Sequence, residues 1–256
     1  MIWCGNSKIK ISTFNNHYNV NKIRKGSDFL MRDDICTIPV SEVFEESDGC
    51  PICRMKQTVE GHLITYILGD AMMEPDVRIE TNRLGFCSEH FDKMMAHRGR
   101  LQLALILETH IKEISEQIFE KKLFNSADKK ASNVKKVIDS CFICEKVNWG
   151  MERMIETIYR CYEKERDFRE LFNNQPQFCM HHFELLMNGA DKKKMPKYAG
   201  EFKENLTRIT AEYVKSLGED LHKYCSMYDY RSAGKGDWGN SADSVERAVS
   251  YLTGKF

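Results

Sequence analysis

The chain has 256 residues, 42% of them hydrophobic, and its 38 basic residues equal its 38 acidic residues in number. This length predicts one or two domains with a buried core, and because residues 1–30 hold five basic residues and one acidic residue, the rest of the chain is mildly acidic. That balance argues against nucleic-acid binding through phosphate contacts, and the longest apolar run, Leu103 to Leu107, is too short to span a membrane.

Residues 1–30 are rich in Asn, Lys and Ser and have no apolar periodicity, which predicts a disordered extension. They also lack the apolar core of a secretory signal. We therefore expect a cytoplasmic protein. In that reducing compartment, cysteines are more often metal ligands or redox groups than structural disulfides.

Residues 31–132 are predicted to form the first of two helical repeats. Apolar residues from Met55 to Ile67 recur at helical spacing and predict one amphipathic helix. Residues 74–82 contain a proline and mixed charges, which predicts a loop or a short extended connection. Residues 88–123 predict a long helix, bent near Gly99.

Residues 133–227 are predicted to form a second repeat with the same plan. A helix is expected from Val147 to Tyr162, a shorter one after His182, and a long one from Phe202 to Leu221. Residues 228–256 begin with turn-forming residues and end in a last helix, which predicts a C-terminal loop and helix packed on the repeats. Because no segment alternates as a strand does, the predicted class is all-α.

Each repeat is defined by a CxxC pair that is followed by a CxxH pair. The gap between the pairs is 33 residues in the first copy and 34 in the second. Three thiolates and one imidazole are a standard ligand set for tetrahedral Zn²⁺. We therefore predict two zinc ions per chain, each held within one repeat: by Cys50, Cys53, Cys87 and His90 in the first, and by Cys141, Cys144, Cys179 and His182 in the second.

The second CxxH pair offers two histidines, His181 and His182. We predict His182 as the ligand, because Phe183 follows it as Phe91 follows His90. Both quartets are complete, whereas a catalytic zinc usually keeps one position open for water, so an enzymatic role is not favoured. An iron–sulfur cluster with a histidine ligand and a thiol-based redox or metal sensor are the alternatives.

Polar residues outside the quartets give a further candidate site for a ligand or partner. The densest polar cluster near a metal unit consists of Glu74, Asp76, Arg78 and Glu80, of which the first three are the candidate contacts. The alternative is a solvated loop with local ion pairs. Arg231 and Trp238 lie in the glycine-containing C-terminal loop and suit recognition of a ligand or partner. For them the alternative is a tail strapped across the helices.

Several segments, in the same order along the chain, resemble an uncharacterised bacterial family, domain of unknown function family 6062. The resemblance covers residues 31–254 and implies that residues 1–30 lie outside the shared region. It implies no particular reaction. The segments that carry it are Asp34 to Val40, Cys50 to Cys53, Met73 to Asn82, Gly85 to Cys87, Cys141 to Glu145, Phe178 to Phe183, Asp229 to Arg231 and Trp238 to Ser241.

The leading hypothesis is a zinc-binding, non-catalytic helical scaffold that presents a groove or the 74–82 segment to an unknown protein or small molecule. The rival hypothesis is an enzyme or small-ligand-binding protein with its site near residues 74–82, between the repeats. A third is a thiol-based redox or metal sensor. The sequence favours neither nucleic acid nor membrane as a partner, and it does not indicate the oligomeric state.

Overall fold

The computed structural model describes residues 39–120, 127–229 and 236–254. Within these ranges the chain is helical and contains no strand, which confirms the all-α class. None of the helices in the same ranges combines the length and the apolarity needed to cross a bilayer. The predicted extension, residues 1–30, lies outside the described residues.

The helices of the described residues are labelled in chain order. They are α1 (Val40–Glu45), α2 (Pro51–Ile67), α3 (Pro75–Leu84), α4 (Ser88–Ala96), α5 (Arg100–Ile114), α6 (Ala127–Ile138), α7 (Phe142–Lys164), α8 (Arg166–Asn173), α9 (Met180–Gly189), α10 (Ala199–Met227) and α11 (Ser244–Thr253). Short 3₁₀ turns cover Asp70–Met73 and Gly239–Ser241, and a π-helical segment, Ser115–Glu120, follows α5.

The prediction of a loop at residues 74–82 is wrong, because most of this segment lies in α3. Pro75 occupies the first turn of the helix, where its missing N–H would have no partner in any case. Val77, Thr81 and Leu84 are buried at helical spacing along one face. Charged residues lie between these three positions, so the composition of the segment does not indicate its buried helical face.

The long helix predicted from residue 88 is interrupted between α4 and α5. Its expected bend at Gly99 is a complete break, since Ala96 ends one helix and Arg100 begins the next. A Cβ atom at Gly99 would lie 3.1 Å from Cβ of Leu68. A side chain at this position would require Leu68 to shift by a few tenths of an ångström, so the close approach favours glycine.

The described residues divide into two compact units. The boundaries of these units differ from those of the predicted repeats. The first unit comprises described residues within 39–62 and 146–254, and the second comprises those within 63–145. Each unit has its own core. The first is therefore discontinuous in sequence, with the second inserted between its two parts.

Aromatic side chains form the core of the first unit. Phe44 of α1 lies 5.1 Å from Phe168 and 5.8 Å from Phe172, both on α8, as measured between ring centroids. Phe172 in turn lies 4.7 Å from Phe202 of α10. All four rings are buried, and burying one such side chain contributes roughly 1.5–3 kcal/mol. This core fixes α1, which ends at Glu45 shortly before Cys50, against α8 and α10 from the later part of the chain.

In the second unit, the turn between α3 and α4 is joined to the start of α7. The amide of Phe142 donates to the carbonyl of Gly85 at 2.9 Å, and the hydroxyl of Ser140 donates to the carbonyl of Leu84 at 2.7 Å. The ring of Phe86 packs on that of Phe142, with 6.5 Å between the centroids. These contacts place Cys87, at the end of the turn, beside Cys141.

Candidate metal centres

The first group of possible metal ligands, here called the outer cluster, consists of Cys50, Cys53, Cys179 and His182. Nδ1 of His182 lies 3.6 Å from Sγ of Cys50 and 3.2 Å from Sγ of both Cys53 and Cys179. The Sγ atoms of Cys53 and Cys179 are 3.5 Å apart. All four residues belong to the first unit.

The second group, here called the inner cluster, consists of Cys87, His90, Cys141 and Cys144. Nδ1 of His90 lies 3.1 Å from Sγ of Cys87, 3.3 Å from that of Cys141 and 3.4 Å from that of Cys144. The Sγ atoms of Cys87 and Cys144 are 3.8 Å apart. All four residues belong to the second unit.

The spacing of the ligand atoms fits a tetrahedral metal site in both clusters. Bonds of about 2.3 Å to sulfur and about 2.0 Å to nitrogen would separate two sulfurs by about 3.8 Å and a sulfur from the nitrogen by about 3.5 Å. The observed S–S distances are 3.5 and 3.8 Å, and the ligand atoms of each cluster all lie within 4.8 Å of one another. A Zn²⁺ ion would require little rearrangement of the side chains.

The eight predicted ligands are therefore brought together in two groups of three cysteines and one histidine, but the predicted pairing of the motifs is wrong. Each CxxC pair joins the CxxH pair of the other copy. The outer cluster combines the first CxxC with the second CxxH. The inner cluster combines the first CxxH with the second CxxC. The motifs pair in this way because the packing of each unit brings helix N-termini together. The start of α2 lies beside that of α9, and the start of α4 lies beside that of α7.

All four ligand pairs lie at helix N-termini. Cys87 and Cys179 are the N-cap residues of α4 and α9, with the histidine in the first turn. Cys50 and Cys141 immediately precede α2 and α7, whose first turns hold Cys53 and Cys144. Backbone N–H groups and the positive end of the helix dipole stabilise thiolates at such positions. The amide of Cys144, 3.5 Å from Sγ of Cys141, is one such donor.

The charges of the outer cluster are strongly coupled. Hydrogen bonds from Cys50 and Cys53, and the nearby His182, lower the pKa of Cys179 far below its ordinary value. Hydrogen bonding to Cys179 and Cys50 raises the pKa of Cys53. Burial would lower the pKa of His182, but its hydrogen bonds to Cys179 and Cys50 outweigh burial and raise it to about 9. These directions favour a thiolate on Cys179 and an imidazolium on His182 in the metal-free cluster.

In the inner cluster, too, the pKa values of two thiols shift in opposite directions. Burial would raise the pKa of Cys141, but hydrogen bonds from His90 and from backbone amides lower it to about 6. Burial and the charge of Cys141 raise the pKa of Cys144 to about 12. Since a bound metal requires thiolates and neutral imidazoles, metal binding displaces the protons that remain on these groups.

The structure places His182, the predicted ligand, in the outer cluster. His181 is exposed, and its Nδ1 faces the end of α11 near Gly254. This contact of the C-terminal helix with a metal cluster has no signal in the sequence. The local sequence indicates only that Gly254 ends a helix. It does not indicate which residues of another helix lie next to this glycine.

Glu74, Asp76 and Arg78 do not converge on a common point. Glu74 and Asp76 are exposed, and the carboxylate of Glu74 accepts a hydrogen bond from the hydroxyl of Tyr66 at 2.8 Å. The guanidinium of Arg78 instead donates to the carbonyl of Leu105 at 2.8 Å and to Thr109 at 2.6 Å. Arg78 thus joins α3 to α5.

The two candidate residues of the C-terminal loop have different outcomes. Arg231 lies outside the described residues. Trp238 packs its ring against Tyr224, near the end of α10, and against Tyr228, the C-cap residue of that helix, at 5.3 and 5.6 Å between centroids. This packing accounts for Trp238 through contacts within the chain.

A protein-family model described as a family of unknown function, DUF6062, matches residues 31–256. The chain belongs to this family. The DUF6062 region begins at the same residue as the resemblance stated from the sequence, so residues 1–30 lie outside it, and it contains all eight ligands of the two clusters. Comparison with curated proteins and with solved structures found no match to the chain.

Proposed function

We propose that this DUF6062 protein is a zinc-binding, non-catalytic helical scaffold with one structural Zn²⁺ in each cluster. The observation that carries the proposal is the presence of two Cys₃His groups whose ligand atoms all lie within 4.8 Å of one another. Cysteine-rich sets of this kind suit Zn²⁺ better than the hard cations, which prefer oxygen ligands.

A structural role is favoured over a catalytic one because each cluster supplies four protein ligands. A catalytic zinc generally has three, with water or substrate in the fourth position. The six cysteine ligands are free thiols, so they are available for metal in a reducing compartment such as the cytoplasm. In this proposal the metal ions hold helix ends in place.

Each metal would stabilise the unit in which its ligands lie. The outer cluster links the N-terminal ends of α2 and α9, and the inner cluster links those of α4 and α7. Structural zinc contributes apparent binding free energies of roughly 10–16 kcal/mol in small zinc-finger peptides. The resulting rigid helical surface is what the scaffold would present to a protein or small-molecule partner.

Elemental analysis of the full chain, purified without added metal, tests this function. We expect close to two zinc ions per chain. A Cys50→Ser/Cys144→Ser variant, which removes one ligand from each cluster, is the matched control and should retain little zinc after dialysis against a chelator. Iron with visible absorbance would instead indicate an iron–sulfur protein, and absence of metal from the unmodified chain would contradict the proposal.

A further inference from the structure

The C-terminal end of α11 lies directly against the outer cluster. The carbonyl of Gly254 is 3.8 Å from Sγ of Cys53, as the acceptor of its hydrogen bond. A Cβ atom at Gly254 would lie 3.6 Å from Sγ of Cys179 and 3.6 Å from Nδ1 of His181. Gly254 has a φ of 65°, the left-handed conformation in which a glycine ends a helix.

We propose that α11 is a removable cover over the outer cluster, which makes its metal slower to exchange than that of the inner cluster. This inference rests on the proposed metal binding and adds a difference in function between the two sites. The inner site would be the labile one. The outer site would release its metal only when α11 detaches.

The exposure of the thiols differs between the clusters in the direction that this proposal requires. Cys50, Cys53 and Cys179 of the outer cluster have relative exposures of 2%, 3% and 0%. In the inner cluster, Cys87 and Cys144 are only partly buried. A chelator or thiol reagent therefore has direct access to two inner thiols and to none of the outer ones while α11 is in place.

The packing of α11 suggests that it detaches more easily than the rest of the first unit. Among its residues, Ser244 and Tyr251 are the buried ones, whereas Val245, Val249 and Leu252 are exposed. The helix thus contributes one large side chain to the core. Segments with few buried apolar contacts open locally at a lower free-energy cost than the whole domain.

The polar contacts beneath α11 are also incompletely satisfied. The hydroxyl oxygens of Ser244 and Ser250 are buried and have no hydrogen-bond partner among the described residues. Neither hydroxyl therefore anchors α11 to another described residue.

Arg247 is the main polar anchor of the helix. Its guanidinium donates to the carboxylate of Asp220 on α10 and to that of Asp243, both at 2.9 Å, and also to the carbonyl of Asn240. The side chains of Arg247 and Asp220 are 28% and 19% exposed, so this ion pair is less screened by solvent than a surface pair. Removing Arg247 should increase the fraction of molecules in which α11 is detached.

Pulsed alkylation of the zinc-loaded full chain with N-ethylmaleimide, followed by mass spectrometry of each cysteine-containing peptide, tests the proposal. We expect Cys87, Cys141 and Cys144 to react before Cys50, Cys53 and Cys179. In an Arg247→Ala variant the outer thiols should react about fivefold faster while the inner thiols keep their rates. The free and exposed Cys225 is an internal standard for the reagent.

An Arg166→Ala variant is the matched control, because Arg166 pairs with Glu170 on the surface of α8 in the same unit. It should leave all rates unchanged. If Arg247→Ala does not fold, Asp243→Ala removes one of the two ion pairs of Arg247 more mildly. Equal rates for both clusters, or an Arg247→Ala variant that accelerates both equally or neither, would overturn the cover.

Metal content measured on the same samples separates this inference from the proposed function. A chain with two zinc ions whose clusters react alike would overturn the cover and leave the zinc scaffold intact. A chain without metal would contradict the scaffold and, with it, the proposed difference in metal exchange. The order of thiol reaction would then test only whether α11 shields the outer cysteines.

Discussion

The two histidine ligands are presented in the same way. Each lies three residues after an N-cap cysteine, in the first turn of a helix, and each directs Nδ1 at the sulfur atoms. The distances from Nδ1 to the sulfur of the N-cap cysteine are nearly equal, at 3.1 Å for His90 and 3.2 Å for His182. In both copies the CxxH spacing thus brings Nδ1 of the histidine beside the sulfur of the N-cap cysteine.

Replacement of His182 by alanine should weaken the outer metal site and leave the inner one intact. We expect the affinity of the outer site for zinc to fall by more than about 100-fold, because a direct ligand is lost. The neighbouring His181→Ala change is the control and should leave both sites filled, since His181 is not part of the cluster. Zinc retained per chain after competition with a chelator measures the difference.

The pKa values of the outer cluster predict that its zinc affinity increases with pH. The pKa of His182 is raised to about 9 and that of Cys53 is also raised, so both groups carry protons near neutral pH in the metal-free protein. Zinc must displace these protons, and the logarithm of its association constant should rise by at least about two per pH unit.

Competition with a chelator of known affinity, from pH 6.5 to 8, gives this slope. A Cys144→Ser background, in which the inner site has lost a ligand, isolates the outer one. A flat profile would contradict the release of protons on zinc binding. The folding stability of the metal-free protein should change with pH in the opposite direction to its zinc affinity. The contribution of His182 to the free energy of unfolding is complete below its unfolded pKa of about 6.5. It is lost as the pH rises through about 9, the raised pKa of the folded state.

At the scale of the elements, the turn between α3 and α4 places the first ligand of the inner cluster. Gly85 ends α3 with a φ of 59°. A Cβ atom there would lie 2.7 Å from Nε2 of His110. His110 is buried and has little freedom to move, because its Nδ1 is hydrogen-bonded to the carbonyl of Asn82 at 2.8 Å.

Substitution of Gly85 by alanine should therefore destabilise the second unit. We expect a loss of about 2–4 kcal/mol from the positive φ and the overlap with His110 together. Gly61→Ala is the matched control: a Cβ atom at Gly61, within α2, would meet open space, and alanine there should stabilise the helix by about 0.5–1 kcal/mol. Urea unfolding of the zinc-loaded proteins measures both. A neutral Gly85→Ala variant would show that the turn relaxes freely.

At the scale of the whole molecule, the two clusters are nested along the chain. The inner cluster closes between Cys87 and Cys144, and the outer one spans Cys50 to His182. The second unit is correspondingly inserted in the sequence of the first. Each cluster therefore lies within one unit, although its residues come from both predicted repeats.

Double substitutions distinguish nested from within-repeat pairing. Cys50→Ser combined with His182→Ala damages only the outer cluster and should leave one zinc per chain after chelator treatment. Cys50→Ser combined with Cys87→Ser damages both clusters and should leave none. If each repeat held its own metal, these two results would be exchanged, so the zinc content of the pair decides the connectivity.

The sequence alone determined the helical class and the end of the last helix at Gly254, and it singled out the eight residues that the structure gathers into two clusters, His182 among them. These features depend on local chemistry: three-residue spacing, apolar periodicity, and a glycine in the left-handed conformation at a helix end. The charge pattern of residues 74–82 misled the same reasoning, because the buried face of α3 is formed by only three residues between charged ones.

Only the tertiary structure decided which CxxC pair joins which CxxH pair. The two CxxC pairs are chemically equivalent, and so are the two CxxH pairs. Closing the longer outer loop instead of a local one costs only about 1 kcal/mol more chain entropy. The free energy of packing outweighs that difference. Phe44 of α1 packs on the rings of α8, which holds the nearby Cys50 close to the start of α9. The hydrogen bond between Gly85 and Phe142 holds Cys87 close to the start of α7.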